Sequence, residues 1–236
     1  MLKLSFFIIL CSFSVSSYSD TLIESGTNQG TLIELYSSQG CSSCPPAERW
    51  VSNYRNDPNL WKSVFPVVFH VDYWDYLGWK DPFSQKEFSQ RQRNYHRSQA
   101  IRSVYTPGVI VNGKEYRQWY RGHSLPTVTR QVGNLILDIK NNSLTSTYSE
   151  EKPLSLSIAI LAMDISTSVK SGENAGREFT ENFIVLSLTT VASPDGKWQL
   201  NLDIPADYKR NKLALVSWVT EPQSLQPLQV AGGWLE

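Results

Sequence analysis

Apolar, β-prone runs alternate with polar stretches along most of this chain. "TLIELY" (31–36) reads as a buried strand. The segment from Cys41 and Cys44 to about Asn56 reads as a helix, because Pro45 and Pro46 are tolerated only in a first helical turn. "PVVFHV" (66–71) is a second buried strand. "SQKE" (84–87) has capping-box spacing and predicts a polar helix to about Arg97. "PGVIVNG" (107–113) predicts a third strand ending in Asn-Gly, with "KEYRQWY" (114–120) as its hairpin partner. Ser124 then caps a predicted helix carrying Val128, Val132, Leu135, Ile136 and Ile139 at helical spacing. Residues 20–30 read as a loose arm, and "KNNSLTSTYSEEK" (140–152) as a polar linker. Beyond it, 153–161, 182–191, 197–204 and 212–219 read as strands of an antiparallel, β-rich part spanning 153–236. Trp198, Leu200, Leu202 and Ile204 mark one face of the third of these.

Residues 1–19 add a targeting signal. Lys3 precedes a mostly apolar Leu4–Val15, and Ser17 and Ser19 put small residues where a signal peptidase inspects. A signal peptide cut near Ser19 implies a periplasmic or secreted protein with no stable membrane anchor after cleavage. The charge is balanced, 22 basic against 22 acidic side chains, which argues against a nucleic-acid partner. Cys11 leaves with the signal, so Cys41 and Cys44 remain, in a compartment where a disulfide persists.

That pair supports three readings. A staple across a four-residue ring stabilises by only about 2 kcal/mol. A redox pair has a mechanism: at a helix N-terminus Cys41 would be favoured as a thiolate, exposed and attacking, with Cys44 more buried and resolving the mixed disulfide. A copper(I) clip would join both thiolates to His70. In the redox reading Glu34, a lone carboxylate inside "LIELY", is a candidate proton acceptor for Cys44. The aromatic, charged string "HVDYWDYLGWKDPF" (70–83) offers Trp74 and Trp79 as a binding surface beside the cysteines.

The predicted β-α-β-α-β-β-α order over 31–142, with CxxC between the first strand and the first helix, is that of a thioredoxin fold. "ELYSSQGCSSCPPAE", "FHVDYWDYLGWKDPF", "YTPGVIVNG" and "GENAGR" (172–177) together resemble the secreted thioredoxin-like family catalogued as domain-of-unknown-function family 1223, over roughly 30–235. The resemblance implies an α/β, thioredoxin-like βαβαββα core with an added C-terminal antiparallel β-rich part. It carries over Cys41 and Cys44 as the redox pair, disulfide-bonded when oxidised. It also carries over Pro107 as a cis proline facing them, with Thr106 and Tyr105 beside the substrate. "GENAGR" reads as a turn whose Glu173 and Arg177 make ion pairs. The function expected is thiol–disulfide exchange with a protein or small-molecule substrate and a redox partner, without a cofactor. A non-catalytic binding protein or copper(I) carrier is the alternative.

Overall fold

The computed structural model describes residues 20–235, apart from 123, 127, 209 and 210. The expected signal peptide, residues 1–19 with Cys11, lies outside the described residues. Strands β1 (Thr21–Glu24), β2 (Thr31–Ser37), β3 (Val64–His70), β4 (Gly108–Val111) and β5 (Lys114–Glu115) surround helices α1 (Pro45–Ser52) and α2 (Lys86–Arg97). Nine further strands follow: β6 (Leu135–Lys140), β7 (Ser143–Tyr148), β8 (Leu154–Ala162), β9 (Ile165–Ser168), β10 (Glu178–Glu181), β11 (Ile184–Ser193), β12 (Lys197–Asn201), β13 (Leu213–Thr220) and β14 (Pro227–Leu235). The chain is mixed α/β and mostly sheet. Among the described residues no helix is long and apolar enough to cross a membrane.

One eight-stranded sheet runs β14-β13-β8-β11-β3-β2-β4-β5. Its middle is built on β2, which pairs parallel to β3 and antiparallel to β4. Both central strands are buried along their whole length, so their apolar residues run almost without interruption. The later strands continue this sheet rather than closing on themselves. β11 joins β3 in parallel at Ile184 and Val68, with the Val68 N–H donating to the Phe183 carbonyl. A second sheet, β1-β6-β7-β12, packs over the strands from the C-terminal half. Leu137, Ile139, Leu144 and Trp198 meet Leu156, Ile158 and Leu215 between the two layers.

Several expectations need correction. The helix expected from Ser124 is absent: Leu135, Leu137 and Ile139 alternate inward along β6, and Pro126 and Gly133 interrupt any helix before it. The predicted βαβαββα order therefore lacks its last helix. The loose arm contains β1, paired with β6. The polar linker contains β7, a Ser/Thr-rich strand that still buries Leu144, Ser146 and Tyr148 on alternate positions. α2 starts two residues after Ser84, whose Oγ donates to Asp75, and the N-cap, Gln85, makes no side-chain capping bond, its side-chain nitrogen donating to the Leu186 carbonyl instead. The hairpin partner of β4 is only two residues long and gives way to a 3₁₀ turn at Gln118–Arg121.

Candidate functional site

β2 ends at Ser37, and the chain turns through Ser38–Cys44 into α1. The Cys41 N–H donates to the Ser38 carbonyl at 3.0 Å, and the Cys44 N–H to the Cys41 carbonyl at 3.2 Å. Cys41 and Cys44 are joined by a disulfide, with Cα atoms 5.5 Å apart. Cys44 is the N-cap and Pro45 and Pro46 open the helix, so Cys41 lies in the turn before it. Exposure differs from expectation. Cys41 is 0% exposed and Cys44 1%, while Ser42 and Ser43 between them face solvent.

A segment from far along the chain is bonded to the backbone of this turn. Asn174 is fully buried, and its Nδ2 donates to the carbonyls of Gln39 at 2.8 Å and Cys41 at 3.0 Å. Glu173 accepts from the Ser42 N–H at 3.2 Å. The amide nearest Cys41 therefore already faces a carboxylate, the opposite of an environment that favours a thiolate. Glu173 thus binds a backbone amide of this turn, where an ion pair was expected. Ser171 Oγ donates to the Gly78 carbonyl, and Gly172 passes Trp79 at φ +76 in a place where a Cβ would meet Trp79 Cβ at 3.2 Å. "GENAGR" is thus a strap across the disulfide turn, tied to the 70–83 string.

That string wraps the other side of the turn. Trp79 Nε1 donates to Gln39 Oε1 at 3.2 Å, and Trp74 Nε1 to Thr106 Oγ1 at 2.7 Å. Both indoles are half-buried, while Tyr76 is 81% exposed. Trp74 Cβ also crowds Gly40, 3.1 Å from where a Cβ would stand. Through Thr106 the string reaches the loop before β4, whose Thr106–Pro107 peptide is cis. Tyr105 OH donates to Glu115 at 2.8 Å, and burial with that carboxylate pushes the phenol up to about 12.

The inner face of α1 holds a buried charge cluster. Glu48, one turn after Cys44, points toward His70 at the end of β3, with Oε1 4.0 Å from Nε2. Glu181, closing β10, brings its Oε1 to 3.8 Å from the same nitrogen. Asp81 Oδ2 lies 2.7 Å from His70 Nδ1 and also accepts the Gln39 N–H at 2.7 Å. Burial pushes the imidazole down, but Asp81, Glu181 and Glu48 together raise it to about 10. Burial raises Glu181 to about 8 against the pull of His70, and moves Glu48 in the same direction. Burial also works against Asp81, yet His70 and the amides of Gln39 and Phe83 hold its carboxyl below the usual range. The nitrogens of His70 face carboxylates. Glu48 had a readable signal, a carboxylate on the helix face shared by Cys44, Ala47 and Val51.

Glu34 lies on the opposite face of the sheet. Residues alternate along β2 and β3, so Glu34 and Tyr36 face α2 together with Phe69, while His70 faces α1. Its carboxylate takes Arg91 Nε at 2.8 Å, Arg91 Nη2 at 3.1 Å, Tyr36 OH at 2.9 Å, and Tyr95 OH. The structure thus gives Glu34 a fully bonded place under α2, and puts Glu48 on the cysteine side.

The fold has solved relatives. A crystal structure of an Agrobacterium tumefaciens protein aligns with a TM-score of 0.60 at 22% identity, covering 87% of this chain and 93% of that one. HBP35 of Porphyromonas gingivalis aligns with a TM-score of 0.58 at 15% identity, covering 89% of this chain and 76% of that one. Among curated proteins none matches the chain. A family model, "Protein of unknown function (DUF1223)", matches residues 32–220, which span the disulfide turn, the 70–83 string, the strap and the buried cluster alike. The chain belongs to the DUF1223 family.

Proposed function

We propose that the protein is an exported thiol–disulfide oxidoreductase with a thioredoxin-like core, acting through Cys41 and Cys44. The observation that carries this reading is the place of the disulfide. It spans the turn between a central strand and the helix that follows, at the strand's C-terminal end, where open α/β sheets form their reactive crevices. The order β3-β2-β4-β5, with one parallel and two antiparallel pairings, supports the thioredoxin-like part. The leader-like residues 1–19 and a disulfide as the pair's state support a periplasmic or secreted location.

The chemistry is exchange. A substrate thiolate attacks Cys41 Sγ, the Cys41–Cys44 bond breaks, and Cys44 leaves as the thiolate. A second substrate thiolate attacks the mixed disulfide, releasing oxidised substrate and the reduced pair, which a redox partner reoxidises. Run backwards, the same steps reduce a disulfide substrate. Both sulfurs are sealed at rest, so exchange requires the 171–177 strap to lift. Lifting also removes Glu173 from the Ser42 amide, freeing an N–H to stabilise the Cys41 thiolate.

Incubating the reduced Cys44→Ser protein with oxidised glutathione tests the reading. One glutathione should be trapped on Cys41, found by peptide mass spectrometry, and the wild-type pair should equilibrate with a glutathione buffer. A Cys41 that forms no adduct even after Asn174→Ala loosens the strap would refute exchange.

A further inference from the structure

We propose that Glu48, His70 and Glu181 form a binding site for a divalent first-row transition-metal cation, with zinc the best fit. One donor atom from each lies within 4.8 Å of the others, and all three side chains are buried. The donors converge without bonding one another. At 3.8 and 4.0 Å from His70 Nε2, the two carboxylates stand beyond hydrogen-bond reach. His70 Nε2 and both Glu48 oxygens have no hydrogen-bond partner. Buried polar atoms left this way are costly, and a cation between them would satisfy His70 Nε2 and one Glu48 oxygen at once.

The outer hydrogen bonds are those a metal site needs. Asp81 Oδ2 lies 2.7 Å from Nδ1 and orients the ring so that Nε2 faces Glu48 and Glu181, where a cation would take the place of the Nε2 proton. Asp81 is itself held by the Gln39 and Phe83 amides. Gln39 Nε2 donates to Glu181 Oε2 at 2.6 Å, leaving Oε1 turned to His70. A cavity of about 430 Å³ between α1 and β10, lined by Pro45, Glu48, Arg49, Arg177 and Glu181, borders both glutamates though not His70.

The donor set names the cation. An imidazole with two carboxylates suits zinc, manganese or iron, whereas calcium and magnesium favour all-oxygen sites. Zinc bonds of about 2.0–2.1 Å in a tetrahedron put neighbouring donors about 3.3 Å apart. The carboxylates would then close on His70 Nε2 by about 0.5 and 0.7 Å, and on each other, from as far as 4.8 Å, by up to about 1.5 Å, through side-chain rotation. The site is independent of exchange at Cys41 and Cys44, since neither sulfur is a ligand.

The test uses the full mature chain, stripped with a chelator and titrated with zinc by calorimetry, with bound metal counted by elemental analysis. One zinc per chain is expected, retained in excess magnesium and calcium. Glu48→Gln and Glu181→Gln should each weaken it by about 100-fold or more, and Asp81→Asn by about 10- to 100-fold. Cys41→Ser/Cys44→Ser should bind as the wild type does. Metal-free melting curves show which variants fold. If one glutamine variant fails to fold, the other, with cobalt(II) absorption as a second readout of tetrahedral coordination, keeps the test decisive. Substoichiometric zinc, equal affinity in the folded glutamine variants, a preference for manganese in an octahedral site, or loss of zinc in the cysteine double variant would overturn the assignment.

Discussion

Removing the Asn174 amide should unseal the disulfide without touching either cysteine. Its Nδ2 donates to the Gln39 and Cys41 carbonyls, and both bonds exist only while the strap lies down. A neutral hydrogen bond stabilises by about 1 kcal/mol net, so the two favour the closed strap by about 2 kcal/mol. At 1.36 kcal/mol per tenfold, Asn174→Ala then raises the population of the open form about 30-fold. If reductant reaches Cys41 only in that form, and opening is fast, the rate of reduction rises by the same factor. The assay is pseudo-first-order reduction by dithiothreitol under native conditions, quenched by alkylation and read by mass. A melting curve taken alongside separates local opening from general loosening. A variant rate within about twofold of wild type would refute the strap as the barrier. So would a wild-type rate equal to that of the same disulfide in an unfolded peptide, since no seal would then exist.

Gly172→Ala should also speed reduction, by about tenfold, because an alanine held at φ +76 costs about 1–2 kcal/mol and its Cβ would press on Trp79 in the closed strap. Arg91→Leu leaves the Glu34 carboxylate buried without its cation and should destabilise the fold by about 3–5 kcal/mol in urea unfolding, with Glu34→Gln in the same chain restoring part of the loss. Burial works against the Glu115 carboxylate, but bonds from Arg117 and Tyr105 hold its pKa below the usual range. Its contribution is therefore present above about pH 4.5 and lost as pH falls through the depressed value. The stability gap between wild type and Glu115→Gln, under about 1 kcal/mol, should close in urea unfolding stepped down in pH.

Legibility followed how local each signal was. "TLIELY" and "PVVFHV" were readable because strands buried on both faces need continuous apolar runs. Asn112-Gly113 was readable because both residues adopt the positive φ that a tight hairpin demands. β7 was hidden by its serines and threonines, which sheet pairing accommodates. β14 was missed because Gly232 and Gly233 look like a turn, whereas a Cβ on Gly232 would lie 2.7 Å from the Leu215 carbonyl of the neighbouring strand. At the site, the cysteines and the tryptophan string stood out by residue type alone. Asn174 stood out only as part of the "GENAGR" turn and Glu181 not at all, because nothing near them in sequence betrays that the chain returns over α1.

Gln39 is where these separate pieces meet. Its amide N–H is given to Asp81, its side-chain nitrogen to Glu181, its side-chain oxygen takes Trp79, and its carbonyl takes Asn174. The residue before Gly40 and Cys41 is thus fixed at once by the buried cluster, the 70–83 string and the strap. Displacing it breaks hydrogen bonds to two buried carboxylates, which are stronger than bonds between neutral groups. The strap's one charged anchor on the turn is solvent-exposed, the Glu173 carboxylate on the Ser42 N–H, and Asn174 bonds only to neutral carbonyls. Opening at the disulfide is therefore easiest by moving the strap away from a turn that stays in place. That arrangement keeps Cys41 and Cys44 positioned over α1 while the cover that hides them comes off.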